Sequence, residues 1–83
     1  MRGQLKQFIL RALNRMEGRP MKDKSLLEAA HGAFEPPPTV GDINAAKREL
    51  ELDGFIHGAT DDFDKSITWT LTPKGQHKAN QLG

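Results

Sequence analysis

Leu5, Phe8, Ile9, Ala12, Leu13 and Met16 recur at i, i+3, i+4, i+7, i+8 and i+11, which is one stripe of a 3.6-residue helix. Gly18 and Pro20 end that helix near Glu17, since glycine accepts a left-handed turn and proline cannot continue the hydrogen bonding. Met21 is expected to tuck into the core as the chain turns. A second helix begins between Asp23 and Leu26. Ser25-Leu26-Leu27-Glu28 fits a capping box, and Asp23 is an equally good cap. Leu26, Leu27, Ala30 and Phe34 are its inward residues, and Gly32 weakens its last turn. Glu35-Pro36-Pro37-Pro38 then breaks any helix, because each proline removes a donor and restricts the residue before it. Thr39 stands as the cap of a third helix over residues 40–53, with Asp42 near its positive end. Val40, Ile43, Ala46 and Leu50 form its apolar stripe, and Gly54 is its left-handed stop.

Beyond Gly54 the period changes from 3.6 to 2. Residues 55–60 read as a strand, and residues 66–71 alternate fully, with Ile67, Trp69 and Leu71 on one face and Ser66, Thr68 and Thr70 on the other. The polar stretch Asp61-Asp62-Phe63-Asp64-Lys65 joins them as a hairpin loop. Thr72-Pro73 is a cap followed by proline at the first helical position, so a short last helix covers about residues 73–82. The expected chain is one mostly helical α+β domain spanning residues 1–83. Its core should gather Phe8, Leu13, Ile43, Leu50, Ile56, Trp69 and Leu71.

Composition adds bounds. Eighty-three residues with 36% hydrophobic and 28% charged positions make an ordinary globular mix, and a chain this short must have an economical core. No cysteine is present, so disulfides and thiolate metal sites are excluded, and a cytoplasmic setting is expected. Met1-Arg2-Gly3-Gln4 leads straight into the amphipathic pattern without an apolar leader core, and no apolar run is long enough for a membrane span. The net charge of +1 conceals a strong polarity. Residues 1–24 balance at +5, residues 25–64 at −7, and the remainder at +3. A charged partner would meet very different faces.

Three helices followed directly by a two-stranded hairpin and a short helix is a distinctive order. Residues 39–56, Thr39-Val-Gly-Asp-Ile-Asn-Ala-Ala-Lys-Arg-Glu-Leu-Glu-Leu-Asp-Gly-Phe-Ile56, resemble the third helix and first wing strand of winged helix-turn-helix domains. Residues 67–75, Ile67-Thr-Trp-Thr-Leu-Thr-Pro-Lys-Gly75, resemble the second wing strand and its turn into the next helix, as in the bacterial MarR-type and PadR-type transcriptional regulators. The resemblance implies a three-helix bundle with a hairpin wing, and a third helix that enters the major groove of double-stranded DNA. Helical phase about Ile43 turns Gly41, Asn44, Ala45, Arg48 and Leu52 away from the core. Gly41 and Ala45 are small enough for close approach. Asn44 can pair with adenine and Arg48 with guanine, each worth about 1–3 kcal/mol of discrimination. Thr39, at the helix start, joins this set. Lys22 and Lys24, beside the second helix, and Lys65, in the wing, are the candidate phosphate contacts.

Two features run against a plain DNA reader. Lys47 sits where such helices carry an apolar residue, and its stem is expected to snorkel along the core edge. The third helix carries Asp42, Glu49, Glu51 and Asp53, and the wing carries Asp61, Asp62 and Asp64 with only Lys65 in reply. An acidic wing is repelled by the phosphates it should touch. The competing reading is therefore a protein-interaction module that uses the acidic wing and the outward Leu52, with Phe63 either a docking plug or a cover folded over the hairpin. A monomer or weak homodimer is expected, through the first or last helix. His31, His57 and His77 lie on three elements at no metal-ligand spacing, the acids at 61–64 lack a calcium-loop spacing, and Trp69 on an apolar strand face reads as a core anchor. No nucleophile motif or phosphate-binding glycine loop is present, so neither enzyme chemistry nor a cofactor is expected.

Overall fold

The computed structural model describes residues 2–82; Met1 and Gly83, the ends of the single domain expected over 1–83, lie outside the described residues. The first helix, α1 (Arg2–Asn14), buries Leu5, Ile9, Leu10, Ala12 and Leu13. Its inward face is centred on Leu5, Ile9 and Leu13, so Leu10 is covered although the periodic stripe passes it by. Phe8 falls at the edge and is half-buried, its ring edge-on to that of Phe34 at 5.8 Å between centroids. The helix ends three residues before the expected Glu17. Bonds from Met16 N to Leu13 O and from Glu17 N to Asn14 O tighten the turn, and Glu17 (φ 54°) and Gly18 (φ 87°) take left-handed conformations that no α-helix can continue.

A two-residue strand, β1 (Met21–Lys22), follows where the sequence indicates only a turn, and Met21 is half-buried. It pairs antiparallel with β3 (Ile67–Leu71), Met21 opposite Trp69 and Lys22 opposite Thr68. On its other edge β3 pairs with β2 (Ile56–Thr60), from Ile56 opposite Leu71 to Thr60 opposite Ile67. The hairpin is thus part of a three-stranded sheet in the order β1-β3-β2.

The second helix, α2 (Asp23–Ala33), starts at Asp23, and Lys22 at its cap position offers no side-chain bond. Neither proposed cap operates: the Asp23 carboxylate is engaged elsewhere, and Ser25 lies inside the helix. Leu26 and Ala30 are buried, with Leu27 and Phe34 at the margin. In α3 (Val40–Leu52) the Thr39 hydroxyl accepts from Asp42 N at 3.1 Å, as its sequence indicated. Ile43, Ala46 and Leu50 are buried, but Val40, expected in the stripe, is 57% exposed. Pro38 is buried at this end of the helix instead, and Val40 stands at the mouth of a cleft between α2 and α3. Gly54 (φ 81°) closes α3 with paired bonds, Phe55 N to Leu50 O and Gly54 N to Glu51 O, a Schellman arrangement.

The sheet and α4 (Pro73–Gln81) close the core. Trp69 is 8% exposed and lies across Gly58 on the paired strand, where a Cβ would come within 2.8 Å of the ring. Leu71 is half-buried and Ile67 exposed, so the apolar face of β3 opens to solvent toward the wing. The Thr72 hydroxyl accepts from Gly75 N at 3.0 Å and donates to Gly54 O at 2.6 Å, which ties the start of α4 to the end of α3. A Cβ at Gly75 would overlap the Phe55 carbonyl, so glycine there permits direct packing of α4 on this turn.

Candidate nucleic-acid interface

The surface that unites α2, α3 and the sheet is organised by one buried charge. Lys47 lies on the inward side of α3 and is 4% exposed, so its ammonium does not snorkel to water as expected. It forms an ion pair with Asp23 Oδ1, and it sits 5.6 Å from the centre of the Trp69 ring. Trp69 Nε1 donates to the same oxygen at 2.7 Å. A buried ammonium requires such a partner, and the partner comes from the first turn of α2. Burial pushes the Asp23 carboxyl up. The hydrogen bonds from Lys47 and Trp69, with the charge of Lys47, outweigh that effect and hold it below its ordinary value of 3.8.

Two clefts meet over this junction. One is lined by Lys22, Asp23, Lys24, Lys65, Ser66 and Ile67. The other is lined by Asp23, Asn44, Lys47, Arg48, Glu51, Ile67 and Trp69. They share Asp23 and Ile67. The three lysines named from sequence therefore converge on one cleft, and Asn44 and Arg48 on the next. Asn44, Arg48, Lys22, Lys24 and Lys65 are all exposed. Thr39 is occupied as the cap of α3, Gly41 is exposed on its first turn and Ala45 is half-buried; none of these three lines either cleft.

Glu51, which the sequence marks only as one of the acids of α3, shares the helical phase of Asn44 and Arg48. Its Oε2 accepts from Gly58 N at 3.2 Å and so joins the end of α3 to the wing. The wing tip is ordered by its own acids. Asp61 Oδ1 accepts from Phe63 N at 2.7 Å and from Asp64 N at 3.3 Å, and Asp64 Oδ1 accepts from Ser66 N at 2.9 Å. The Ser66 hydrogen bonds chiefly lower the Asp64 carboxyl, and the charge of Lys22 adds a smaller push in the same direction. Between the two readings of Phe63, the ring does not cover the hairpin: it is 98% exposed, and Leu52 is 78% exposed.

Among the described residues no helix is long and apolar enough to cross a membrane, and no group of three or more His, Cys, Asp or Glu is placed to hold a metal ion. No family model and no curated protein matches the chain. A solved structure of a double mutant of Lactococcus lactis ZitR is similar over 95% of this chain, with a TM-score of 0.73 and 16% sequence identity. The chain spans 49% of the length of that structure's chain. The likeness shows the fold, and with the element order above the chain is a mostly helical α+β winged helix-turn-helix.

Proposed function

We propose that this chain binds double-stranded DNA as a transcriptional regulator of the MarR/PadR kind, reading the major groove with α3. The observation that carries the reading is the adjacency of the two clefts. Groups suited to base edges, Asn44 and Arg48, stand beside three lysines suited to phosphates, on one continuous surface. Gly41, exposed on the first turn of the same helix, leaves room for the groove wall, Thr39 caps that helix, and Ala45, which follows Asn44, is small enough for close approach. The acid in the middle, Asp23, is answered from beneath by Lys47, so it presents little net charge to a phosphate.

The test is fluorescence anisotropy with random and selected duplexes across a salt series. Arg48→Ala relaxes sequence preference, whereas Lys24→Ala weakens all duplexes alike and reduces the salt slope by about one. Failure of the folded protein to bind any duplex at low ionic strength would overturn the proposal. One observation favours a second reading, a protein-interaction module: the exposed Phe63 and Leu52 beside an acidic wing. That reading expects negligible duplex affinity at low salt and a partner whose binding depends on the wing or on Leu52.

A further inference from the structure

The acidic end of the wing, Asp61 to Asp64, presents an exposed ring beside carboxylates that phosphates repel. Phe63 is 98% exposed, and the bonds of Asp61 to the backbone of residues 63 and 64 order the turn that carries it. Asp61, Asp62 and Asp64 surround it with negative charge, which phosphates repel and a basic, apolar recess attracts. The molecule carries such a recess at its far end. A cleft of about 460 Å³ between α1 and the end of α2 is lined by Gln4, Gln7, Phe8, Arg11, Ala33 and Phe34. The edge-on pair of Phe8 and Phe34 gives it aromatic walls, and Arg11 is the charged residue among its lining, with Arg15 one turn further along.

The plug and the recess cannot meet within one copy. Lys22, where β1 leads into α2, lines one cleft with Lys65 and Ser66 of the wing, so the wing lies by the start of α2. Phe34 follows the other end of that helix, whose 11 residues extend about 16 Å. We infer that Phe63 and its flanking aspartates dock into the Phe8–Phe34–Arg11 cleft of a second copy. The contact joins different surfaces of the two molecules, so it propagates head to tail instead of closing as a symmetric dimer. A tip of one ring and a few carboxylates makes a small contact, so the association is weak and salt-sensitive. It does not depend on DNA binding.

Sedimentation of the full chain over a concentration and salt series tests this. The average mass rises with concentration at low salt and falls back as salt is added. Phe63→Ser, at a position the fold does not use, weakens association by about tenfold or more. Arg11→Glu does the same from the cleft side, and Gln7→Glu repeats that test without touching the bond from Arg11 to the Leu82 carbonyl. The decisive sample mixes Phe63→Ser with Arg11→Glu. Each is monomeric alone, and together they form a heterodimer and nothing larger, since one supplies the cleft and the other the plug. A chain that stays monomeric at millimolar concentration and low salt overturns the inference. So does association that Phe63→Ser leaves unchanged, or a loss of duplex affinity in Phe63→Ser, which would place the tip on DNA.

Discussion

Asp23 and Asp64 are both held below the ordinary carboxylate range, yet they do opposite things for the molecule. Asp23 bonds outward in sequence, to Lys47 on α3 and Trp69 on β3, and so fixes three elements about one oxygen. Asp64 bonds to Ser66, two residues away, and shapes only its own loop. The same side chain is an architectural pin where it is partly buried and meets a buried cation, and a local turn-former where water surrounds it. Interactions between distant elements make the interface geometry; interactions within the wing only decide what its tip presents. That contrast can be broken by substitutions on either side, and the expected effects differ widely in size.

The largest belongs to the junction. Trp69→Ala removes a buried ring that covers Gly58 and donates to Asp23, and should cost about 3–5 kcal/mol, measured by urea unfolding. That is a large part of the stability of a small domain, and a much smaller loss would show that the junction is not the pin described here. Lys47→Ala should cost less, about 2 kcal/mol, because the Asp23 side chain is 32% exposed and water can re-solvate it. In a double-mutant cycle Asp23→Asn and Lys47→Met should be strongly non-additive. The junction also carries a pH signature. Because folding lowers the Asp23 pKa, its contribution is complete above the ordinary value of 3.8 and is lost as pH falls through the folded value. The stability gap between the native chain and Asp23→Asn should therefore narrow in acid. A gap that is constant with pH would contradict the assignment.

Much of the fold is legible in the sequence because it is periodic. The stripes of α1 and α3, the change of period at Gly54, and the threonine caps at 39 and 72 all act within a few residues of themselves. What escapes is non-local. β1 is two residues long, too short for any alternation, and exists because β3 offers it an edge. Lys47 reads as a misplaced polar residue because its partner lies 24 positions upstream. For the same reason Asp23 reads as a helix cap. The candidate interface divides along this line too. Asn44 and Arg48 follow from helical phase, whereas the convergence of Lys22, Lys24 and Lys65 needs the β1–β3 pairing that carries the first two to the wing. Glu51 was within reach, since it shares the phase of Arg48, but its bond to Gly58 could not be foreseen.

The smallest effect, and the sharpest separation, comes from Asp64→Asn. The carboxylate is fully exposed, so water screens its bonds, and asparagine can still accept from Ser66 N; the unfolding midpoint should barely move. Two binding properties should. Lys22 loses the carboxylate charge it faces, and its own charge becomes more available to a phosphate. Affinity for random duplex at low salt should then rise by about two- to threefold, the scale of one exposed charge pair, and the gain should vanish as salt is raised. The same change removes one of the charges that draw the wing tip to Arg11 of another copy, so head-to-tail association should weaken by a similar factor. A folding defect would lower both affinities together, and a wing that sits on the duplex through Asp64 would lose DNA affinity. Only a surface divided between a basic DNA face and an acidic docking tip moves the two readouts in opposite directions from one substitution.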